Sequence, residues 1–344
     1  MTRQKPATKK SIGIVAIAKT AGVAPSTVSR FFNNGQVSAK TRLKIEKAVQ
    51  QTGYRPDARA ASLRKGSTNR IGVIVPDIGN PAYSLPLHVF HDLLQERGYS
   101  LVLGCTYGSV DEEHKQLAYM LQDHVDGIIL YSCESPHSEQ SHQYIKTLAH
   151  QKTPVIYVGK QNNLLPMDNV TVNNLMGIDK AVRYLHRIGR RHIAFLSGDT
   201  SNWAYKQRVD SFKDAMKTRK LKVMPKSILA QGQSTVETGT ALLPLLLDQA
   251  PQTDAIICSN DLMAVGAMYA AQKMGLKIPE QLAVIGFDDI QLASLVRPQL
   301  TTIRQPFLKM AQQTCLFLLG RLSGDDSAVQ SVLFEPELVV RESA

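Results

Sequence analysis

At 344 residues the chain is too long for one small core and fits two or three domains. Its formal net charge of +11 is unevenly placed: residues 1–70 hold 15 Lys/Arg against 2 Asp/Glu, whereas residues 71–344 hold 25 against 27. A basic head on a near-neutral body implies a polyanionic partner, and no run of 18 apolar residues offers a transmembrane helix. The N-terminal MTRQKPATKKSIG is basic but lacks the apolar centre of a secretion signal, so the expected location is the cytoplasm, with no membrane association. Cys105, Cys133, Cys258 and Cys315 form no CxxC pair and lie in or near apolar runs, which reads as buried or semi-buried thiols rather than disulfides or metal ligands.

The head reads as three short helices. Ile14, Ile17, Ala18 and Ala21 fall at helical spacing over about two turns, and Gly22 lets the chain turn sharply. Pro25 suits the first position of a second helix, whose buried stripe is Val28, Phe31 and Phe32. A third begins near the capping residue Ser38, carries Leu43, Ile45, Ala48 and Val49 inward, and stops at Gly53. Two short helices across a tight turn, braced by a third, form a helix-turn-helix whose second helix is free to enter a major groove. Pro25, Ser26, Ser29 and Arg30 then face outward, toward base edges and phosphates.

The stretches "AGVAPSTVSRFFN", "VSAKTR" and "GYRPDARAASLRKGSTNRIGVIVPD" make the chain resemble the lactose/galactose repressor family of bacterial transcription regulators, from about Ile14 to Glu342. The resemblance implies that Pro25 and Ser26 discriminate bases and that Arg30 reads a guanine through two hydrogen bonds. Thr27, Ser29, Asn33 and Thr41 would contact phosphates, which position the helix without specifying sequence. Two departures stand out. The capping Ser or Thr usual before the second helix is Ala24, and an acidic residue common near the start of the first helix is Ala16. The segment 56–64, "PDARAASLR", is too short to be a stable isolated helix. In the family it is a hinge that folds on the operator, with Leu63 in the place of a minor-groove wedge and Arg59, Arg64 and Lys65 beside the flanking phosphates.

From Ile71 onward, apolar runs of strand length (71–76, 99–104, 126–131, 154–159, 192–197, 254–259 and 282–287) alternate with amphipathic segments such as 84–97, 111–124, 175–188, 203–218 and 261–274. That alternation implies parallel sheets covered on both faces. The resemblance implies two Rossmann-like subdomains of the periplasmic-binding-protein type, with chain crossings near 160–172, 290–300 and 320–335. Ligands in such sheets bind beyond the carboxyl ends of strands. The polar and aromatic residues there are Asp77, Asn80, Ala82, Tyr83, Lys160, Arg208, Asn260, Asp261, Asp288, Asp289, Gln305 and Phe307. In the family, the positions of Arg208, Asn260 and Asp288 bind the effector, often through sugar hydroxyls, and Tyr83 and Phe307 could stack on a ring face. Asp289 reads as a turn residue, Asn260 also as a helix cap, Trp203 as a residue near the cleft mouth that contacts ligand or packs, and His186 and His192 as surface. Many family members carry an acidic residue at the position of Gly159, often followed by Arg; Gly159-Lys160 here favours an acidic or phosphorylated sugar.

The expected fold is therefore a small all-α helix-turn-helix head plus an α/β body of two Rossmann-like parallel-sheet subdomains. The expected domains are a DNA-binding head over 1–55, a hinge over 56–70 and an effector-binding and dimerisation body over 71–344. Within the body, the first subdomain takes about 71–168 and 300–330, the second about 169–298 and 331–344. The expected function is a repressor of carbohydrate-utilisation genes: a homodimer on double-stranded operator DNA, gated allosterically by a sugar, sugar acid or sugar phosphate, with no cofactor and no catalytic role. Alternatives are a global carbon regulator with a phosphorylated carrier protein as co-repressor, a transport binding protein, and an enzyme using Asp288 and Asp289. Adjacent residues on one loop make a poor acid/base pair, and no nucleophile elbow, P-loop or zinc motif occurs. "PELVVRESA" carries no leucine heptad, so a tail-mediated tetramer is not expected.

Overall fold

The computed structural model describes residues 13–32, 35–54, 66–134, 153–159 and 167–344. The expectations placed on Asn33, the hinge with Arg59, Leu63 and Arg64, and Lys160 lie outside the described residues. The chain forms two compact units, 1–68 and 69–344.

In the first unit, α1 (Ile14–Ala21) ends at Gly22, whose φ of 64° is left-handed backbone open to glycine without strain. Pro25 opens α2 (Pro25–Phe32), and α3 (Ala39–Thr52) starts under Ser38, whose Oγ accepts a hydrogen bond from the Thr41 amide at 3.3 Å. Ile17, Ala18, Ala21, Val28, Ile45 and Ala48 make the core, with Phe31, Phe32, Val49 and Tyr54 packed on it. Leu43, expected inside, is 67% exposed. At about 100° per residue it sits some 200° round the helix from Ile45, so both cannot face the same core.

The second unit holds two six-stranded sheets. The first contains β1 (Arg70–Val75), β2 (Ser100–Cys105), β3 (Gly127–Tyr131), β4 (Val155–Val158), β5 (Asn169–Val172) and β11 (Ser331–Phe334), in the order β11-β5-β4-β3-β1-β2. The second contains β6 (Ile193–Ser197), β7 (Ile228–Ala230), β8 (Ala255–Cys258), β9 (Ala283–Asp288), β10 (Thr301–Arg304) and β12 (Glu337–Val339), in the order β12-β10-β9-β8-β6-β7. Every pairing is parallel except that of β10 with β12. The orders correspond strand for strand, so the two halves repeat one doubly wound plan.

Helices cover both faces of each sheet. Against the first sheet lie α4 (Ser84–Gln95) with α11 (Phe307–Leu322) on one face and α5 (Val110–Gln122) on the other. Against the second lie α6 (Asn174–Arg187) with α7 (Trp203–Thr218), and α8 (Val236–Gln249) with α9 (Asp261–Lys273) and the short α10 (Gln291–Leu295). Burial on both faces explains the unbroken apolar runs of β3, β4, β6 and β8.

The subdomain bounds differ from the sequence expectation. β5 and β11 join the first sheet and β10 the second, so the chain crosses between Val172 and Asn174, between Arg304 and Phe307, and between Phe334 and Glu337. The first subdomain therefore takes 169–172 and 331–334, and the second keeps 301–304. The physical reason is pairing across distance: Asn169–Val172 is held by β11 some 160 residues later, in register from Ser331 to Phe334. Asp168 fixes the same junction, accepting two hydrogen bonds from Arg321 at 2.7 and 2.8 Å and one from the Gln330 amide at 2.8 Å.

Candidate functional site

Between the carboxyl ends of the two sheets lies a cavity of about 80 Å³. Its lining includes Asn80, Ala82, Tyr83, Arg208, Asn260, Asp288, Gln305 and Phe307, so these eight of the strand-end residues singled out from sequence meet in one place, whereas Asp77, Asp261 and Asp289 are not in the lining. Each stands where a strand has just ended, or one turn into the following helix, which is where backbone direction points side chains into the crevice. Asn80 Oδ1 accepts from the Ala82 amide at 2.9 Å and fixes the turn that carries Tyr83. Asn260 Oδ1 accepts from the Met263 amide at 2.9 Å while its Nδ2 donates to the Ser234 carbonyl at 2.9 Å, so the capping role is present in addition to the place in the lining.

Arg208 is the centre of the array. Its Nε donates to Asn174 Oδ1 at 3.0 Å, its Nη1 donates to the Ser259 carbonyl, and its Cζ lies 3.6 Å from the centroid of the Phe287 ring. Asp288 Oδ1 is 3.8 Å from Nη1 and accepts from Gln305 Nε2 at 2.7 Å. Asp288 holds φ at 121°, a sparsely populated conformation for a non-glycine residue that the surrounding structure must enforce.

Burial pushes the Asp288 carboxyl up to about 6, with Arg208 and Gln305 pulling it back down. Asp261 stands directly behind it. Burial and then the Asp288 charge push its carboxyl well up, against hydrogen bonds from the Thr302 hydroxyl and the Ile290 amide. Tyr83, Tyr131 and Tyr205 are raised above the usual phenol range, chiefly by burial, and so remain neutral hydroxyls.

Tyr131, Asn174, Asn202 and Tyr205 also line the cavity but were not singled out from sequence. Tyr205 had a usable signal: it sits three residues before Arg208, on the same helix face. Asn174 had none, because it gains its place only when α6 packs against α7. Gly159 lines the cavity at φ 84°, which glycine adopts freely and a residue with a Cβ does not. Trp203 is absent from that lining. It opens α7 and its amide donates to the Cys133 carbonyl at 3.0 Å, linking the second subdomain to the first beside the cleft. Asp289 is held by Arg304 Nε at 2.7 Å and Arg341 Nη2 at 2.6 Å, a structural role.

In the head, Pro25, Ser26 and Arg30 are exposed on α2, while Thr27, Ser29 and Thr41 are half-buried. The Thr41 hydroxyl is hydrogen-bonded to Ser38 Oγ at 2.9 Å. Arg42 lies over the Phe31 ring at 5.2 Å. Lys19, Arg30, Lys40, Arg42, Lys44 and Lys47 face one carboxylate, Glu46, among the described residues of this unit.

Comparison with known proteins places these features. Residues 14–57 match the family described as "Bacterial regulatory proteins, lacI family", and residues 182–344 match a "Periplasmic binding protein-like domain". The HTH-type transcriptional regulator DegA of Bacillus subtilis (strain 168) is 33% identical, the match covering 96% of this chain and 97% of that protein. The ribose operon repressor of Escherichia coli (strain K12) is 32% identical over 95% of this chain and 98% of its own length. Among solved structures, the lac repressor dimer bound to operator and an anti-inducer matches with a TM-score of 0.81 at 26% identity, over 97% of this chain and 99% of that one. A complex of the regulator CelR with cellobiose matches with a TM-score of 0.71 at 27% identity, over 96% and 99%.

Proposed function

The chain belongs to the lacI family of bacterial regulatory proteins, DNA-binding transcription regulators rather than enzymes, and on that premise we propose that it is a cytoplasmic homodimeric repressor of carbohydrate-utilisation genes. Its operator affinity is set by a small hydroxyl-rich effector held between the two subdomains. The observation that carries this reading is the convergence of Arg208, Asn260 and Asp288 from the second subdomain with Asn80 and Tyr83 from the first around one cavity. An Arg and a carboxylate held rigidly a few ångströms apart offer a vicinal diol both a donor and an acceptor, and charge-assisted hydrogen bonds are the strong ones. Asn80 and Gln305 add neutral partners, and Tyr83 and Phe307 supply ring faces.

A ligand that touches both subdomains at once favours one angle between them. Effector and operator are then coupled through that angle, typically by about 1–3 kcal/mol, and the coupling is reciprocal. In the head, Pro25 and Ser26 take the base-discriminating positions and Arg30 the guanine contact. Thr27, Ser29, Asn33 and Thr41 hold phosphates, while Leu63 with Arg59 and Arg64 works at the minor groove.

The test is operator binding by fluorescence anisotropy over a salt series, for the intact chain and for Arg30→Ala. The reading expects log K to fall linearly and steeply with log salt, and Arg30→Ala to lose about 1–3 kcal/mol on operator with little change on random duplex. A flat salt response, or equal loss on both duplexes, contradicts it.

A further inference from the structure

The cleft does not end at the cavity around Arg208. A second chamber of about 320 Å³ opens from it, roughly four times the inner volume. Pro76, Asn80, Tyr83, Asn202 and Tyr205 line both spaces and form the waist between them. We propose that the effector is a neutral ligand of two linked hydroxyl-bearing units, disaccharide-sized, with one unit against Arg208 and Asp288 and the other in the outer chamber. This deepens the effector reading given above and rests on it.

Two carboxylates, Asp77 from the first subdomain and Asp199 from the second, stand in the outer wall. Each is fixed by one oxygen: Asp77 Oδ1 accepts from the Gly79 amide and Asp199 Oδ1 from the Ser201 amide, both at 2.8 Å. Neither group forms an ion pair with a cation among the described residues. Ser234 also lines the chamber; it is 9% exposed, and its Oγ lies beside the Tyr205 hydroxyl, so the two can meet a ligand hydroxyl together. Tyr107, 64% exposed, also lines the chamber and offers a ring face to a sugar.

The charge balance selects the ligand. Arg208 is matched by Asp288 and already donates to Asn174 and Ser259, so it is not a free anchor for a phosphate. Among the described lining residues, Asp77 and Asp199 are the charged groups of the outer chamber; as carboxylates they disfavour a phosphate and accept hydrogen bonds from ligand hydroxyls.

The experiment is calorimetric titration of the full chain with neutral monosaccharides, disaccharides built from them, and the monosaccharide phosphates. The expected result is that the tightest ligand is a disaccharide, at least tenfold tighter than either constituent. Asp77→Asn and Asp199→Asn, which retain the oxygen that holds the local turn, should each weaken that disaccharide about tenfold and leave the monosaccharide within twofold. A monosaccharide or its phosphate as tightest ligand, unaffected by either substitution, overturns the two-unit proposal while leaving the effector reading standing. Failure of every sugar to bind overturns the effector reading itself, and the proposal with it.

Discussion

Arg208 and Asp288 face each other across 3.8 Å with side chains only 7% and 6% exposed, an ion pair buried in the cleft but longer than a hydrogen bond. The guanidinium is locked by Asn174, Ser259 and the Phe287 ring, so the gap is maintained by its other partners rather than closed by attraction. Removing one member of a buried pair leaves the other uncompensated. Arg208→Ala should therefore lower unfolding free energy by about 3–5 kcal/mol, whereas Asp288→Asn, which keeps an acceptor for Gln305 and removes a charge facing Asp261, should cost far less. Urea denaturation of both variants checks the order.

The same carboxyl gives a pH dependence with a definite sign. Asp288 is raised from an ordinary value of 3.8 to about 6, so the folded state keeps its proton to a higher pH than the unfolded chain does. Stability from this group is present below about pH 4 and is lost as pH rises through 6. Arg208, Asp261, Gln305, Tyr83 and Tyr205 are the groups facing or coupled to it. The difference in Tm between wild type and Asp288→Asn, followed from pH 4 to 8, should swing in favour of the variant across this window; a constant difference would contradict the assignment.

Trp203 is the only tryptophan in the chain, and its amide bonds the Cys133 carbonyl across the two subdomains. The 132–134 turn is held from behind by Glu113, 2% exposed, which accepts from Ser132 Oγ at 2.6 Å, the Cys133 amide at 2.8 Å and Cys133 Sγ at 3.0 Å. Glu113→Ala strands those donors, at about 1–3 kcal/mol for each one left buried. It should also shift the Trp203 emission maximum in the ligand-free protein, and effector titration should shift it in the wild type.

In the head, Ile45→Ala removes a fully buried side chain and should cost about 2–5 kcal/mol. Leu43→Ala, two residues away on the opposite face, should stay within about 0.5 kcal/mol. Thermal unfolding of the pair separates the observed facing of α3 from the one read in the sequence.

That contrast marks how far the sequence reaches. Val28 and Ile45 follow a helical stripe and are legible as core; Leu43 shares their chemistry but not their phase. The buried strands of the two sheets announce themselves as apolar runs. β5 and β11 do not, because the four-residue "NVTV" is placed by β4 on one side and by β11, some 160 residues later, on the other. Arg208, Asn260 and Asp288 could be placed because the resemblance fixed their positions and the strand-end rule explained them. Asn174 could not, since its role is to orient Arg208, a relationship visible only once α6 and α7 are packed. Asp261 reads from sequence as one more polar residue beyond a strand end; its full burial within the field of Asp288, outside the cavity lining, is a property of the folded sheet end.

A ligand in this cleft changes the grip of the head on DNA only if the two sites are thermodynamically coupled. The direct measurement is operator affinity at fixed salt with and without a saturating cleft ligand, for wild type and Arg208→Ala. Operator affinity of the wild type should change about five- to 150-fold, and that change should be absent in the variant, which still binds operator. An operator affinity that the bound ligand leaves unchanged in the wild type would contradict it.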